Sequence, residues 1–399
     1  MKRFIPLSLL ASASLVYADM STQEFLYKDA RIMGMGAANT AVGGYSTAVF
    51  HNPAGLINIK QSHGVEVELL GVTLGGSKNI QSFMDDLDNA DDDNADPSDD
   101  TTEVIKQHAG ETYNVTAANY SSVSYHSESD LAFTIGLLAG ADVNLLPHGN
   151  GSANGILETH SRVYGGLVLG AAQKYPNLLL GGDLTVGVSL KYITQNSYEA
   201  GLDEGEVTAH SDDLETYLQD TYEVENSGFG IDIGVLYEPD ILDGWNPSIG
   251  LSIMNIGSLD FDDVYGAQPM TINAGVSVKP SVPYVGDVVI ALDYVDIFNA
   301  QQARVRNYYP YRAEDQYDSV DIDFDMMQHI RAGVSAQVVD NSWFLLTLNA
   351  GLYQGAYTAG FDMQLAVLKI QAATYQEQLG ASTGQIEDRR YMIGVGIGW

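Results

Sequence analysis

The 399-residue chain contains 41 glycines, 24 tyrosines and no cysteine, and 52 acidic against 18 basic residues leave a formal net charge of −34. That balance excludes nucleic acid as a partner, because phosphates need a basic surface to release their counterions, and it argues against electrostatic docking on an anionic bilayer. Without cysteine, a disulfide framework, a thiolate metal site and a lipoprotein anchor are all excluded.

At the N-terminus, Lys2 and Arg3 precede an apolar stretch over residues 4–16 that closes on Val16-Tyr17-Ala18. This is the pattern of a secretory signal peptide over residues 1–18, cut before Asp19. No later run of eighteen apolar residues occurs, so helical membrane spans are excluded and a β-rich exported protein remains. Residues 19–64 do not alternate. They hold Gly34 and Gly36 in a small-residue run, then Ala48-Val49-Phe50, then the turn Asn52-Pro53-Ala54-Gly55. Small residues permit close backbone approach, and Pro53 removes a donor where no ladder bond is wanted. Such a segment, ahead of a wide barrel, is expected to fold back into the lumen as a plug.

From residue 65 onward the period is two almost everywhere. Leu184, Val186, Val188, Leu190 and Tyr192 alternate with Thr185, Gly187, Ser189, Lys191 and Ile193, and similar copies follow. Fourteen strands are predicted, over 65–75, 113–126, 131–143, 158–172, 183–195, 227–238, 247–256, 269–279, 286–296, 328–338, 343–353, 357–367, 369–378 and 389–399. The first, third, fifth, seventh and ninth connections are long or polar and those between them are brief. That asymmetry points to an all-β transmembrane barrel over residues 65–399, with short periplasmic turns and long outer loops. An even strand count leaves both chain ends on the periplasmic side. The segment 85–103, more than half carboxylates, is expected to be a solvated loop and not a calcium site, since it lacks the glycine and terminal glutamate of an ordered calcium loop. Residues 203–225 repeat the acidic bias more weakly.

The final nine residues, YMIGVGIGW, place Tyr391, Ile393, Val395, Ile397 and Trp399 on one face and Met392, Gly394, Gly396 and Gly398 on the other. This reads as the closing strand, with Tyr391 and Trp399 as interface aromatics, because lipid offers no water to unpaired edge groups and the sheet must close. Lys191, Asp232, Asp293, Arg331 and Asp362 fall among the polar positions facing the lumen, where buried charges need partners and the plug is expected to supply them. The eight histidines are scattered, with no HExxH and no GxSxG, so neither an enzyme, a metal site nor a cofactor is expected.

The run Met33-Gly34-Met35-Gly36-Ala37-Ala38, followed by Ala48-Val49-Phe50-His51-Asn52-Pro53-Ala54-Gly55-Leu56, resembles the N-terminal signature of the FadL superfamily of long-chain fatty-acid transporters, and more closely its PorV-like branch and the conjugal-transfer TraF-like barrels. The terminal Trp399 resembles the signal by which the barrel-assembly machinery recognises outer-membrane barrels. The resemblance implies a fourteen-stranded outer-membrane barrel of a Gram-negative bacterium, with Gly34, Gly36, Asn52, Pro53, Ala54 and Gly55 in the hatch, passing hydrophobic small molecules inward by diffusion. The ligand is expected in a pocket between the plug, at Phe50, Asn52 and Pro53, and the wall. Two alternatives stand beside this reading: a structural or secretion-associated barrel that binds protein partners, and a general porin.

Overall fold

The computed structural model describes residues 20–21, 25–60, 64–90, 101–150, 152, 154–179, 181–211, 213–307, 316–380 and 386–398. The expected signal peptide, Trp399 and the middle of the acidic segment, residues 91–100, lie outside the described residues.

Among the described residues, fourteen strands form the wall: β1 Val65–Ser77, β2 Tyr113–His126, β3 Leu131–Pro147, β4 Leu157–Leu179, β5 Gly182–Leu202, β6 Val224–Glu238, β7 Ser248–Gly257, β8 Thr271–Val278, β9 Val288–Tyr294, β10 Ile330–Asp340, β11 Phe344–Tyr353, β12 Ala356–Leu365, β13 Leu368–Gln378 and β14 Glu387–Gly398. Each pairs antiparallel with its sequence neighbours, and β14 pairs with β1, Tyr391 opposite Gly76 and Val395 opposite Val72, so the ring is closed. Residues 391–398 therefore belong to the closing strand: Tyr391, Ile393, Val395 and Ile397 point outward and exposed while Met392 is buried inside. The same outward apolar face continues at Phe133, Ile135 and Leu137 of β3 and at Ile290 and Leu292 of β9. So broad an apolar exterior is stable only against hydrocarbon, at about 25 cal/mol for each Å² kept from water. No helix among the described residues is long and apolar enough to cross a membrane.

β4 and β5 run to 23 and 21 residues, past their predicted ends. β4 gains its extra residues, 173–179, at the short-turn end. The excess of β5 stands instead above the apolar band, where Ala200 and Leu202, with Leu157 at the start of β4, are covered by helices of the long loops, so the apolar-out signal fades before the strand stops. Those helices correct the loop expectation at the two ends of the acidic segment, residues 85–90 and 101–103, whose carboxylates at Asp85, Asp86 and Asp88 are exposed. Ile80–Ala90 (α2) and Thr101–Gln107 (α3) flank residues 91–100, and Glu204–Ala209 (α4) and Leu214–Tyr222 (α5) occupy the second acidic connection. Each buries a short apolar stripe, Ile105 of α3, Val207 of α4 and Leu218 of α5 joining Leu157, Ala200 and Leu202. Asp203 caps α4 in a reciprocal capping box with Glu206.

The expectation that the chain starts at the short-turn end is also corrected. Met20–Ser21 pairs with Gln302–Asn307, one strand of a hairpin at the long-loop end whose other strand is Gln316–Asp321. The chain then runs down the inside of the ring to β1. Along this path lie a short helix, Ala30–Gly34 (α1), and two 3₁₀ helices, Ser46–Phe50 and Pro53–Asn58. Helix α1 packs on β11 to β13, while Pro53–Asn58 packs on β3 to β6 across the ring. Inward-facing glycines make this close approach possible. A Cβ at Gly187 would collide with the Ala54 backbone, at Gly234 with the Asn52 side chain, at Gly250 with Thr40, and at Gly333 with Met35.

Candidate binding site in the lumen

Asn52 holds the second 3₁₀ helix in place. Its Oδ1 accepts from the Ala54 N–H at 3.0 Å, and its Nδ2 donates to the Thr40 carbonyl at 2.7 Å and to the Val235 carbonyl of β6 at 3.1 Å. One amide thus caps the helix, ties it to the preceding turn and fixes it to the wall. Pro53 supplies the pre-set φ of a first helical position. Pro53 and Ala54 lie on the bare faces of Gly187 and Gly234, and Gly55 lies against Gly43. Gly34 accepts the Thr358 hydroxyl at 2.9 Å. Gly36, at φ +67°, is wedged against Ala332 and Leu352, where any side chain would be both strained and crowded.

The lumen charges divide. Asp293 accepts from the backbone N–H groups of Asn39 and Thr40 at 2.7 Å each, and Asp362 lies 3.9 Å from Arg31, so these two wall carboxylates hold the interior segment. Lys191 and Asp232 instead pair with each other at 2.9 Å, with Asn255 bonded to both, which corrects the expectation that the segment supplies their partners. They are neighbours on adjacent strands, and a wall pair needs no third element. Arg331 donates to the Gln328 and Ile330 carbonyls and lies over the Tyr353 ring.

Two cavities remain above the packed segment, one on either side of Phe25 and Leu26, which line both. The first is faced by Phe50, Met254 and Val295 together with Lys191, Asn273 and Asp296. The second is faced by Tyr164, Tyr375 and Met392 together with Lys28, Asp142, Arg162 and Arg390. Each measures about 30 Å³, room for two or three waters and too little for an aromatic ring. Phe50, packed edge-on against Tyr120 with centroids 4.9 Å apart, is the one expected ligand-contacting residue that reaches a cavity. Asn52 and Pro53 line neither, being turned to the wall by the bonds above.

Sequence reasoning missed the charged upper lumen. Arg162 meets Asp142 at 2.5 Å, and Arg390 meets Asp388 at 2.6 Å. Lys28 meets Glu377 at 2.7 Å, and the Tyr353 hydroxyl donates to that same carboxylate. Higher still, His160 bonds Glu158 at 3.1 Å and Glu199 at 3.3 Å, His148 bonds the other oxygen of Glu158, and Arg304 of the hairpin forks onto Glu199 at 2.7 and 3.0 Å. Burial alone would lower the His160 pKa. Its hydrogen bonds to Glu158 and Glu199, with their charges, overcome this and raise it to about 9. Burial likewise opposes ionisation of Glu158, but the bonds from His148 and His160 bring it down to about 2. The signal was present as polar residues two apart on one strand face: Asp142 and Asn144, Glu158, His160 and Arg162, Asp388 and Arg390.

The profile of the family described as F plasmid transfer operon, TraF, protein matches residues 49–350. The chain belongs to that family. Its fold is shared with solved outer-membrane channels of the FadL type, as the N-terminal signature implied. The toluene transporter TbuX of Ralstonia pickettii is 13% identical, with 93% of this chain and 97% of that one covered at a TM-score of 0.54. The toluene transporter TodX of Pseudomonas putida is 12% identical, covering 94% and 99% at 0.52. The monoaromatic hydrocarbon channel CymD is 12% identical, covering 92% and 96% at 0.50. These are transport channels, not enzymes. No curated protein matches the chain.

Proposed function

We propose that the protein is an outer-membrane conduit, exported by its signal peptide, inserted through recognition of Trp399, and passing small, poorly water-soluble molecules inward without energy input. Residues 19–64 act as the hatch and residues 65–399 as the barrel. The observation that carries this reading is the lumen: a closed, lipid-facing ring whose interior segment leaves two cavities meeting at Phe25 and Leu26, with Phe50, Met254, Tyr164, Tyr375 and Met392 as their apolar surfaces. A ligand pocket is concave, with apolar surface to hold the guest and polar groups to orient it; here the two kinds of lining residue are mixed. The likeness in fold to channels for toluene and monoaromatic hydrocarbons supports the same reading.

The test is uptake of a radiolabelled monoaromatic hydrocarbon by vesicles with lipopolysaccharide in the outer leaflet. The protein is expected to raise uptake above protein-free vesicles, and deletion of residues 29–59 is expected to alter that rate. Equal uptake with and without protein would defeat the reading. A second reading, a barrel that binds a protein partner at its outer end, is favoured by the ordered acidic helices α2 to α5. It predicts that trimming them abolishes capture of a partner while uptake stays at the protein-free level. A general porin would conduct ions in a planar bilayer, which the packed lumen opposes.

A further inference from the structure

The connection between β7 and β8, residues 258–270, does not stand out from the barrel as an outer loop would. It folds into the mouth. Leu259 and Phe261 are buried in the same apolar cluster as Phe50 and Leu56 of the interior segment. Tyr265, fully buried, reaches across the bore: its hydroxyl donates to Asp142 at 2.7 Å and accepts from Asn144 at 2.6 Å on β3, and its carbonyl accepts from Gln195 of β5 at 2.7 Å. Arg162, already paired with Asp142, also donates to the Gly266 carbonyl at 3.3 Å. The loop thus stands beside both cavities, Gln268 lining one and its partners Asp142 and Arg162 lining the other.

Its backbone is strained. Phe261, Asp262 and Asp263 are three consecutive non-glycine residues in the left-handed region, at φ 51°, 61° and 63°. Each costs on the order of 1–2 kcal/mol, and such strain persists only where surrounding contacts over-determine it. Here those contacts are the Tyr265 bonds below and, above, Arg304 and Ser319 of the hairpin bonded to Asp263. The loop follows Gly257, at φ 143°, whose backbone freedom can absorb a swing, while Pro269 near its other end holds φ fixed.

We propose that residues 258–270 are a gate closed over the lumen, with Tyr265 as its latch on Asp142 and Asn144 and the left-handed Phe261–Asp263 turn as a spring set against it. Release of the latch frees a strained turn, and the loop swings outward to open both cavities to the cell exterior. The proposal rests on the reading of the barrel as a conduit, but its test needs no transported molecule.

Leu26, which lines both cavities and is 4% exposed, becomes the only thiol in the chain when changed to Leu26→Cys. In intact vesicles a membrane-impermeant maleimide added outside reports its access. Adding Tyr265→Phe, which keeps the ring and removes the hydroxyl, is expected to speed labelling at least tenfold. Adding Asp262→Gly, which relaxes the turn with the latch intact, is expected to slow it two- to threefold. Unchanged labelling in Tyr265→Phe, or faster labelling in Asp262→Gly, overturns the gate. Labelling that responds as expected while hydrocarbon uptake stays at the protein-free level leaves the gate standing and removes the conduit reading alone.

Discussion

The two halves of the lumen are built from different physics. Toward the short turns, the interior segment sits on glycines: Ala54 on Gly187, Asn52 on Gly234, Thr40 on Gly250. Asp293 and Asp362 anchor the segment there, and the close fit depends on the absence of side chains. Toward the long loops, the bore is crossed by ionic and hydrogen-bonded groups: Arg162 with Asp142, Arg390 with Asp388, His160 between Glu158 and Glu199. A close-packed seat has one arrangement and resists change. A charged mouth depends on protonation and on single hydroxyls, and can be switched. On the proposed reading, the fixed part of the hatch lies low in the bore and the movable part high.

The largest expected effect breaks the mouth. Arg162→Ala leaves Asp142 buried with its cation gone, and removing one partner of a buried pair costs about 3–5 kcal/mol. The midpoint of the heat-induced gel-mobility shift of the folded barrel should fall steeply. An unmoved midpoint would mean that the mouth is open to water and its charges are solvated.

Next comes pH. His160 has a folded pKa raised above its ordinary value, so its contribution is complete below about 6.5 and fades as pH rises through about 9. Glu158 is depressed, so its share is present above its ordinary value and disappears only toward about 2. The groups facing His160 are Glu158, Glu199, Tyr265 and Tyr317, with His148 and Arg304 beyond the two carboxylates. Amide hydrogen exchange in residues 157–162 and 302–307 should therefore rise between pH 7 and pH 10, corrected for intrinsic rates, by up to about 3 kcal/mol of lost protection. Exchange at the seat, residues 48–56, should stay level over the same range. A parallel rise at both would erase the distinction between the halves.

The seat is probed by Gly234→Leu. The new side chain collides with Asn52 and Pro53, and overpacking of this kind costs about 1–3 kcal/mol. The segment is expected to shift off the wall and admit ionic conductance in a planar bilayer where the parent gives little. At the small end, Asp85→Asn on the exposed face of α2 should change stability by less than about 0.5 kcal/mol, since surface substitutions away from buried networks rarely do more.

Most of the wall was legible in the sequence because lipid outside and polar groups inside impose a strict period of two. β2 spans the residues expected of it, and the other strands depart mainly at their ends. Departures are largest in β4, which runs on toward its short turn, and in β5, where helices cover the outward face and a residue such as Ala200 no longer has to face lipid. The helices α2 to α5 were obscured by carboxylates, because α2, α4 and α5 each bury a single residue, Phe83, Val207 and Leu218, and α3 buries three. In the candidate site, Phe50 could be placed from its position ahead of the Asn52 turn. Asn52 was read as a ligand contact, whereas its bonds to Thr40 and Val235 are internal, and no local pattern reveals a partner 183 residues away. Tyr265 carried no local signal at all, since its role arises from a loop that turns inward.

The central claim is that the interior segment is seated against the wall in the membrane-inserted protein. It is tested most directly by the pair Gly34→Cys and Asn349→Cys in this otherwise cysteine-free chain. A Cβ at Gly34 would lie 3.3 Å from that of Asn349, close to the spacing a disulfide needs. Oxidation of purified outer membranes should cross-link the two positions nearly completely, seen as a mobility shift of the unfolded chain that reductant reverses. Membranes that yield no cross-link under oxidation, while both single thiols remain reactive to a small maleimide, would contradict the account.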